Sequence, residues 1–304
     1  MNKFFSFLKL IRIQNLFILF LIQFLLHYFV IKNNGEVAFY LLATITFLIS
    51  AGGYIINDIY DVKSDLINNK ENVIIGTEIS SKFAIFWYYL FNLVSILLSF
   101  ILVYWVNNYP LIFIFLFTIY ILWRYSKKHQ HLLLIGNIIV ALLSCLSIYN
   151  VYLFSDYSLR ISFHIDWEFY TTIAFVFFSF FLTLSREIIK DLEDTEGDKL
   201  MRSKNIASTF SLNKIKWIVS ILLIIVLIPL LCVLVFLVDE FIYFYSVKLL
   251  FLSIYFSHIC FLIIYTIYKI KLSEKKPNFT RVSQLIKFIM ILGILSIPLF
   301  YYLF

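Results

Sequence analysis

The sequence predicts an all-α integral membrane protein with nine membrane-spanning helices, and three observations predict it. Hydrophobic residues fill 62% of the 304 positions and charged residues only 14%, against roughly 45–50% and 25% in an ordinary soluble domain. Nine apolar segments lie close to the ~20 residues that a helix needs to cross a bilayer. The polar residues gather in the connections between them, and no connection is long enough to fold alone. Residues 1–304 therefore read as one transmembrane domain.

The segments run approximately 13–31, 37–57, 83–106, 109–123, 131–153, 168–187, 215–238, 241–268 and 282–304. The first follows a basic start, MNKFFSFLKLIRIQN. That start is like a signal peptide, but no small-residue cleavage site follows the apolar run, so the segment is expected to stay as a helix. The second ends in the polar stretch NDIYDVKSD, Asn57 to Asp65. The third and fourth are separated only by Asn107-Asn108, which reads as a tight hairpin, and the fourth is short. The sixth ends in KDLEDTEGD, Lys190 to Asp198. Asp239-Glu240 reads as a second tight hairpin between the seventh and eighth. Cys145, Cys232 and Cys260 lie in apolar segments without metal-ligand spacing and read as small hydrophobes. His27 and His258 have no partner spacing and read as structural.

Lys and Arg set the expected orientation, because cytoplasmic connections carry the excess. Lys3, Lys9 and Arg12 precede the first segment, and Lys63, Lys70 and Lys82 follow the second. Arg124, Lys127 and Lys128 follow the fourth, seven more basic residues lie between Arg186 and Lys216, and five between Lys269 and Arg281. Only Lys32 and Arg160 fall on the other side. The N-terminus is expected in the cytoplasm and the C-terminus outside, in a cytoplasmic membrane of the bacterial type. Lys248 and Lys287 fall near helix ends and read as snorkelling side chains.

Both acidic stretches then face the same compartment at similar depth. Asn57, Asp61 and Asp65 fall at i, i+4, i+8, and Asp191, Asp194 and Asp198 at i, i+3, i+7. If the helices continue past the membrane edge, each set forms one stripe. Carboxylates so arranged repel each other unless cations neutralise them. Magnesium takes oxygen ligands and joins one or two carboxylates to a phosphate, so two facing stripes suit a metal–diphosphate unit. Arg12, Lys127, Lys128, Lys190 and Arg202 are expected on this face, where they suit phosphate oxygens. An EF-hand loop does not fit, because the spacings are helical and its D-x-D-x-D-G pattern is absent.

N-D-x-x-D-x-x-x-D at Asn57 to Asp65 and K-D-x-x-D-x-x-x-D at Lys190 to Asp198 resemble the two signature motifs of the UbiA superfamily of intramembrane prenyltransferases. The likeness extends to Arg12-x-x-Asn15, Tyr125-Ser126, Lys127-Lys128 and Gly136-Asn137. It implies a helical bundle around a central cavity open to lipid, with the motifs opposed at its cytoplasmic mouth. It also implies magnesium-assisted loss of diphosphate from an allylic prenyl diphosphate, and capture of the prenyl group by an acceptor. Asn57, Asp61, Asp191 and Asp194 are then the central residues, with Asp58, Asp65 and Asp198 as further metal ligands. Arg12, Asn15, Lys127, Lys128, Lys190 and Arg202 are expected at the diphosphate. Many members read N-K-P-x-R after the first motif, whereas Asn69-Lys70-Glu71-Asn72-Val73 lacks the Pro and the Arg.

The expected partners are a prenyl diphosphate donor, an amphiphilic lipid or aromatic acceptor, and membrane lipids, with no nucleic acid. Arg186 to Asp194 looks most like members that act on geranylgeranylglyceryl phosphate, which favours a lipid glycerol phosphate acceptor. An aromatic acid of quinone or pigment biosynthesis is the alternative. A transporter or scaffold ranks last, because transporters tend to place ionisable groups near the bilayer midplane.

Overall fold

The structure is a computed structural model and describes residues 3–31, 35–68, 73–155, 167–194 and 206–301. The chain begins with the short helix α1 (Lys3–Leu10) and bends at Arg12, whose backbone is left-handed (φ 51°, ψ 52°). Few non-glycine residues adopt that conformation. The bend starts α2 (Ile13–Leu25), which widens into a π-helical turn, Leu26–Ile31. His27 in that turn stacks on Phe39 at a centroid distance of 4.1 Å. There follow α3 (Glu36–Asn68), α4 (Ser81–Trp105), α5 (Ile112–Lys127), α6 (Ile135–Leu153), α7 (Trp167–Glu193), the short α8 (Ile206–Thr209), α9 (Leu212–Phe244), α10 (Val247–Leu272) and α11 (Lys276–Tyr301). Among the described residues, nine helical spans are long and apolar enough to cross a membrane. The protein is an integral membrane protein.

The helices follow the apolar segments with three differences. α3 and α7 run on past their apolar stretches through the first acidic motif and into the second, as the helical spacing of their aspartates requires. The fourth span begins at Tyr109 and reaches Lys127, long enough to cross. The hairpin expected at Asp239-Glu240 does not form. α9 continues through both acids, and the chain turns at Tyr245, in the left-handed region at φ 50°. Asp239 is exposed, so it costs the helix little, and the apolar residues that follow carry the helix on. At Asn107-Asn108 the hairpin does form, because Asn107 takes a left-handed φ of 54° and Pro110 starts the next turn.

Glycine lets α3 sit close to its neighbours. A Cβ on Gly52 would meet Asn92 Nδ2 of α4 at 3.3 Å, and one on Gly53 would meet both Leu122 methyls of α5 at 3.1 Å. Small residues at such crossings drive helix association in lipid, where no hydrophobic gain is available between helices. Ile74, Ile75 and Ile79 of the connection after α3 are buried in one cluster with Leu10, Ile11, Leu16 and Ile55. α9 and α10 pack beside α7 and α11 around Val219, Leu223, Ile263 and Ile286.

Candidate active site

Six helices, α2, α3, α5, α6, α7 and α11, enclose a cavity of about 290 Å³. Its length is lined by apolar side chains such as Ile18, Ile22, Ile49, Leu143, Ile148 and Ile294. At one end the lining becomes polar, with Arg12, Asn15, Tyr54, Asn57, Tyr125, Arg186, Glu187, Lys190 and Lys287. Asp58 and Asp191 directly follow Asn57 and Lys190, Asp61 and Asp65 lie one and two turns further along α3, and Asp194 directly follows the end of α7.

On α3, Asn57 donates from Nδ2 to Asp61 Oδ2 at 2.7 Å, the one-turn contact that i, i+4 spacing permits. Asn57 Oδ1 is buried and has no hydrogen-bond partner. Asp61 also accepts at Oδ1 from Gln130 Nε2, at 2.6 Å. Gln130 reaches Asp61 because Gly136 lets the 129–131 turn press on the start of α6. A Cβ at Gly136 would stand 3.0 Å from Gln130 Cα and from the His129 carbonyl oxygen. Asp58 forms an ion pair with Arg12 Nη2 at 2.8 Å, and the guanidinium also lies 4.9 Å from the centre of the Tyr54 ring. Burial works against the Arg12 charge, but Asp58 outweighs it and raises its pKa. Arg12 and Asp58, expected at phosphate and metal respectively, hold each other in this structure.

On α7, Asp191 accepts from Asn137 Nδ2 of α6 at 3.0 Å. Lys190 donates to Glu187 Oε1 at 2.6 Å, and Arg186 Nη1 donates to the same oxygen at 3.2 Å. Asp65 and Asp194 close the site from opposite motifs. Burial, together with the negative charge of Asp58, pushes the Asp65 carboxyl up to about 6, and Asp194 adds to the effect. Burial raises Asp194 too, against Lys276 and Lys190. The two stripes thus lie within electrostatic reach of each other. Tyr125, on the cavity wall, is within the same reach of Asp61, Glu187 and Asp191.

Several residues fall elsewhere than expected. Lys127 and Lys128 are exposed and do not line the cavity; Lys127 lies over the Trp123 ring, 4.9 Å from its centre. The last turn of α5 points Tyr125 inward and its lysine outward. Lys287, expected to snorkel, instead lines the cavity and donates to Asn15 Oδ1 at 2.9 Å. Asp198 and Arg202 lie outside the described residues. Gln130, Arg186, Glu187 and Lys287 were not singled out for the site by the sequence, and Asn137 only as part of the family likeness.

The donor set fits a hard divalent cation. Asn57 offers a buried, unpaired oxygen, Asp61 and Asp65 offer carboxylates on the same helix, and Asp191 and Asp194 offer carboxylates at the end of α7. Among the described residues no three carboxylate, histidine or cysteine side chains gather closely enough to hold a metal by themselves. A magnesium ion held by one or two carboxylates and completed by substrate phosphate suits that arrangement.

A family model for the UbiA prenyltransferase family matches residues 16–266. The digeranylgeranylglyceryl phosphate synthase of Saccharolobus solfataricus is 36% identical over 189 residues, which cover 61% of each chain. That of Sulfolobus acidocaldarius is 39% identical over 165 residues, 53% of each chain. The chain thus spans about half to three fifths of the length of these relatives. Among solved structures, one of digeranylgeranylglyceryl phosphate synthase in membranes superposes with a TM-score of 0.66 at 21% identity over 98% of both chains. A UbiA homologue from Archaeoglobus fulgidus bound to DMAPP and Mg2+ gives 0.62 at 18% identity, over 96% of this chain and 99% of that one. At such identities these likenesses show the fold, and the family match covers most of the sequence. The chain belongs to the UbiA prenyltransferase family.

Proposed function

We infer that this protein transfers an isoprenoid chain from an allylic prenyl diphosphate to the hydroxyl of a lipid glycerol phosphate. The observation that supports it best is the joining of two unlike surfaces: an apolar cavity of about 290 Å³, capped at one end by cations and two acidic stripes. Such a site takes an amphiphile with a long tail and an anionic head. The relatives named digeranylgeranylglyceryl phosphate synthase favour a glycerol phosphate acceptor over an aromatic acid.

In this reading Asn57, Asp61, Asp191 and Asp194 would hold a magnesium ion with the diphosphate, with Asp58, Asp65 and Asp198 in support. Such an ion would supply Lewis-acid neutralisation of the charge on the leaving diphosphate. Arg12, Asn15, Lys190 and Arg202 serve the phosphate oxygens as preorganised donors where negative charge develops. Gln130 and Asn137 fix the rotamers of Asp61 and Asp191. The apolar helix faces hold the tail and exclude water, so the prenyl group is not lost to hydrolysis. The bond between the first prenyl carbon and oxygen breaks, and its electron pair leaves on diphosphate. The acceptor hydroxyl oxygen bonds to that carbon, and its proton passes to the departing diphosphate. The mouth faces the cytoplasm by the excess of Lys and Arg on that side.

Purified protein is tested with dimethylallyl, geranyl, farnesyl and geranylgeranyl diphosphates against a glycerol phosphate ether lipid and hydroxylated aromatic acids, with products read by mass spectrometry. Each buried CH₂ gains about 0.8 kcal/mol, so a four-isoprene donor is expected to outperform a one-isoprene donor. Transfer only to an aromatic acid would move the assignment to quinone-type chemistry, and preference for the shortest donor would refute tail binding.

A further inference from the structure

The charged side chains that line the polar end of the cavity carry a net positive charge. They are Arg12, Arg186, Lys190, Lys287 and Glu187. Asp58 balances Arg12, and Glu187 balances one of Arg186 and Lys190, to both of which it is bonded. Two positive charges remain on the wall of a membrane-embedded cavity. Lys287 is the sharper case, because among the described residues it donates to the neutral Asn15 Oδ1 and the charge that acts on it is the like charge of Arg186. Arg186 Nε is in turn buried without a hydrogen-bond partner. Unbalanced cations are costly among membrane helices and mark functional sites.

We propose that Lys287 and Arg186 form an anion site for the phosphate monoester of the acceptor, separate from the metal–diphosphate site. This rests on the glycerol phosphate reading above and adds where the acceptor head group binds. The charge matches: a phosphate monoester carries about −1.5 to −2 at neutral pH, the size of the surplus. The placement matches as well. Lys287 and Arg186 stand on α11 and α7, inside the level of Asp191, whereas the aspartates lie further out along α3 and α7. Two anionic head groups must approach one reacting carbon, and each repels the other unless it has its own counter-charge. An acceptor phosphate on Lys287 and Arg186 leaves the carboxylate-bound metal to the donor alone. It also makes Lys287 a specificity residue, since an acceptor without phosphate gains nothing from it.

The test measures binding of inorganic phosphate and of glycerol 1-phosphate to the detergent-purified protein in EDTA, by calorimetry, for wild type, Lys287→Met, Lys287→Arg and Asp61→Asn. Wild type and Asp61→Asn are expected to bind alike without metal, Lys287→Met at least about tenfold more weakly, and Lys287→Arg close to wild type. In turnover, Lys287→Met is expected to raise KM for the glycerol phosphate lipid by a similar factor while KM for the prenyl diphosphate stays within about threefold. The dephosphorylated lipid should lose far less from Lys287→Met than the phosphorylated lipid does. Phosphate binding that needs magnesium, or that survives Lys287→Met, overturns the proposal, as does an equal loss of donor affinity. If wild type binds phosphate through Lys287 in EDTA yet never prenylates a glycerol phosphate lipid, the anion site stands and the acceptor assignment falls.

Discussion

Glu187 is the carboxylate on which the charge balance of the cavity turns, and replacing it with glutamine tests that balance. Its oxygen Oε1 takes hydrogen bonds from Lys190 at 2.6 Å and Arg186 at 3.2 Å, with side chains 14%, 28% and 20% exposed for Glu187, Lys190 and Arg186. Removing one partner of a fully buried ion pair costs about 3–5 kcal/mol, because the other charge is left unpaired. Here water reaches part of each side chain and glutamine keeps a carbonyl acceptor, so the expected loss is about 2–3 kcal/mol. The loss should be reversible by anions. A ligand at 100 times its Kd stabilises the folded state by about 2.7 kcal/mol, and phosphate binds better where no carboxylate competes for the same cations. The assay is thermal unfolding of wild type and Glu187→Gln in detergent, with and without inorganic phosphate. Glu187→Gln should melt lower, and phosphate should raise its midpoint more than that of wild type. Equal midpoints without phosphate, or a smaller gain in the variant, would refute the reasoning.

Three further outcomes follow from the same geometry. Asn137→Leu removes the donor to Asp191 and should lower turnover about 10–100-fold without abolishing it, the usual effect of losing an outer partner of a metal ligand; unchanged turnover would show that Asn137 does not orient Asp191. The Asp65 carboxyl, pushed up to about 6, is protonated below that pH and no longer competes for a cation. Half-saturation by magnesium should therefore rise as pH falls from 7.5 to 5.5, and magnesium titrations of activity that coincide at the two pH values would contradict it. For topology, Lys63→Cys should react with an impermeant thiol reagent only from the cytoplasmic side and Tyr243→Cys only from outside, both positions being exposed; labelling of both from one side would overturn the orientation.

The spans and acidic stripes were legible because both signals are local. A run of ~20 apolar residues is sufficient for a membrane helix, and i, i+4 spacing brings Asn57 and Asp61 together without help from the rest of the chain. Asp239-Glu240 misled because charged residues at a membrane edge are compatible with either a turn or a helix that reaches into the interface. The left-handed Tyr245 that ends α9 has no sequence signature, since Tyr is not a residue that favours positive φ. The partners of the site residues were hidden for another reason. Gln130 lies 69 residues from Asp61 and Lys287 lies 272 from Asn15, so only the packed bundle brings them together. Lys287 looked like a snorkelling lysine because its sequence neighbours are apolar, and they are the same for a lysine that faces a cavity.

Under the proposed function, the opposed acidic stripes hold the donor diphosphate through magnesium. The most direct measurement is the rate of diphosphate release from an allylic prenyl diphosphate in the presence of acceptor, for wild type, Asp61→Asn and Asp191→Asn, each with magnesium and with EDTA. Wild type should release diphosphate with magnesium and fall silent in EDTA. Each variant should lose about 100-fold or more with magnesium while its melting temperature stays near that of wild type. Release by either variant at close to the wild-type rate, or release by wild type that persists in EDTA, would contradict the claim.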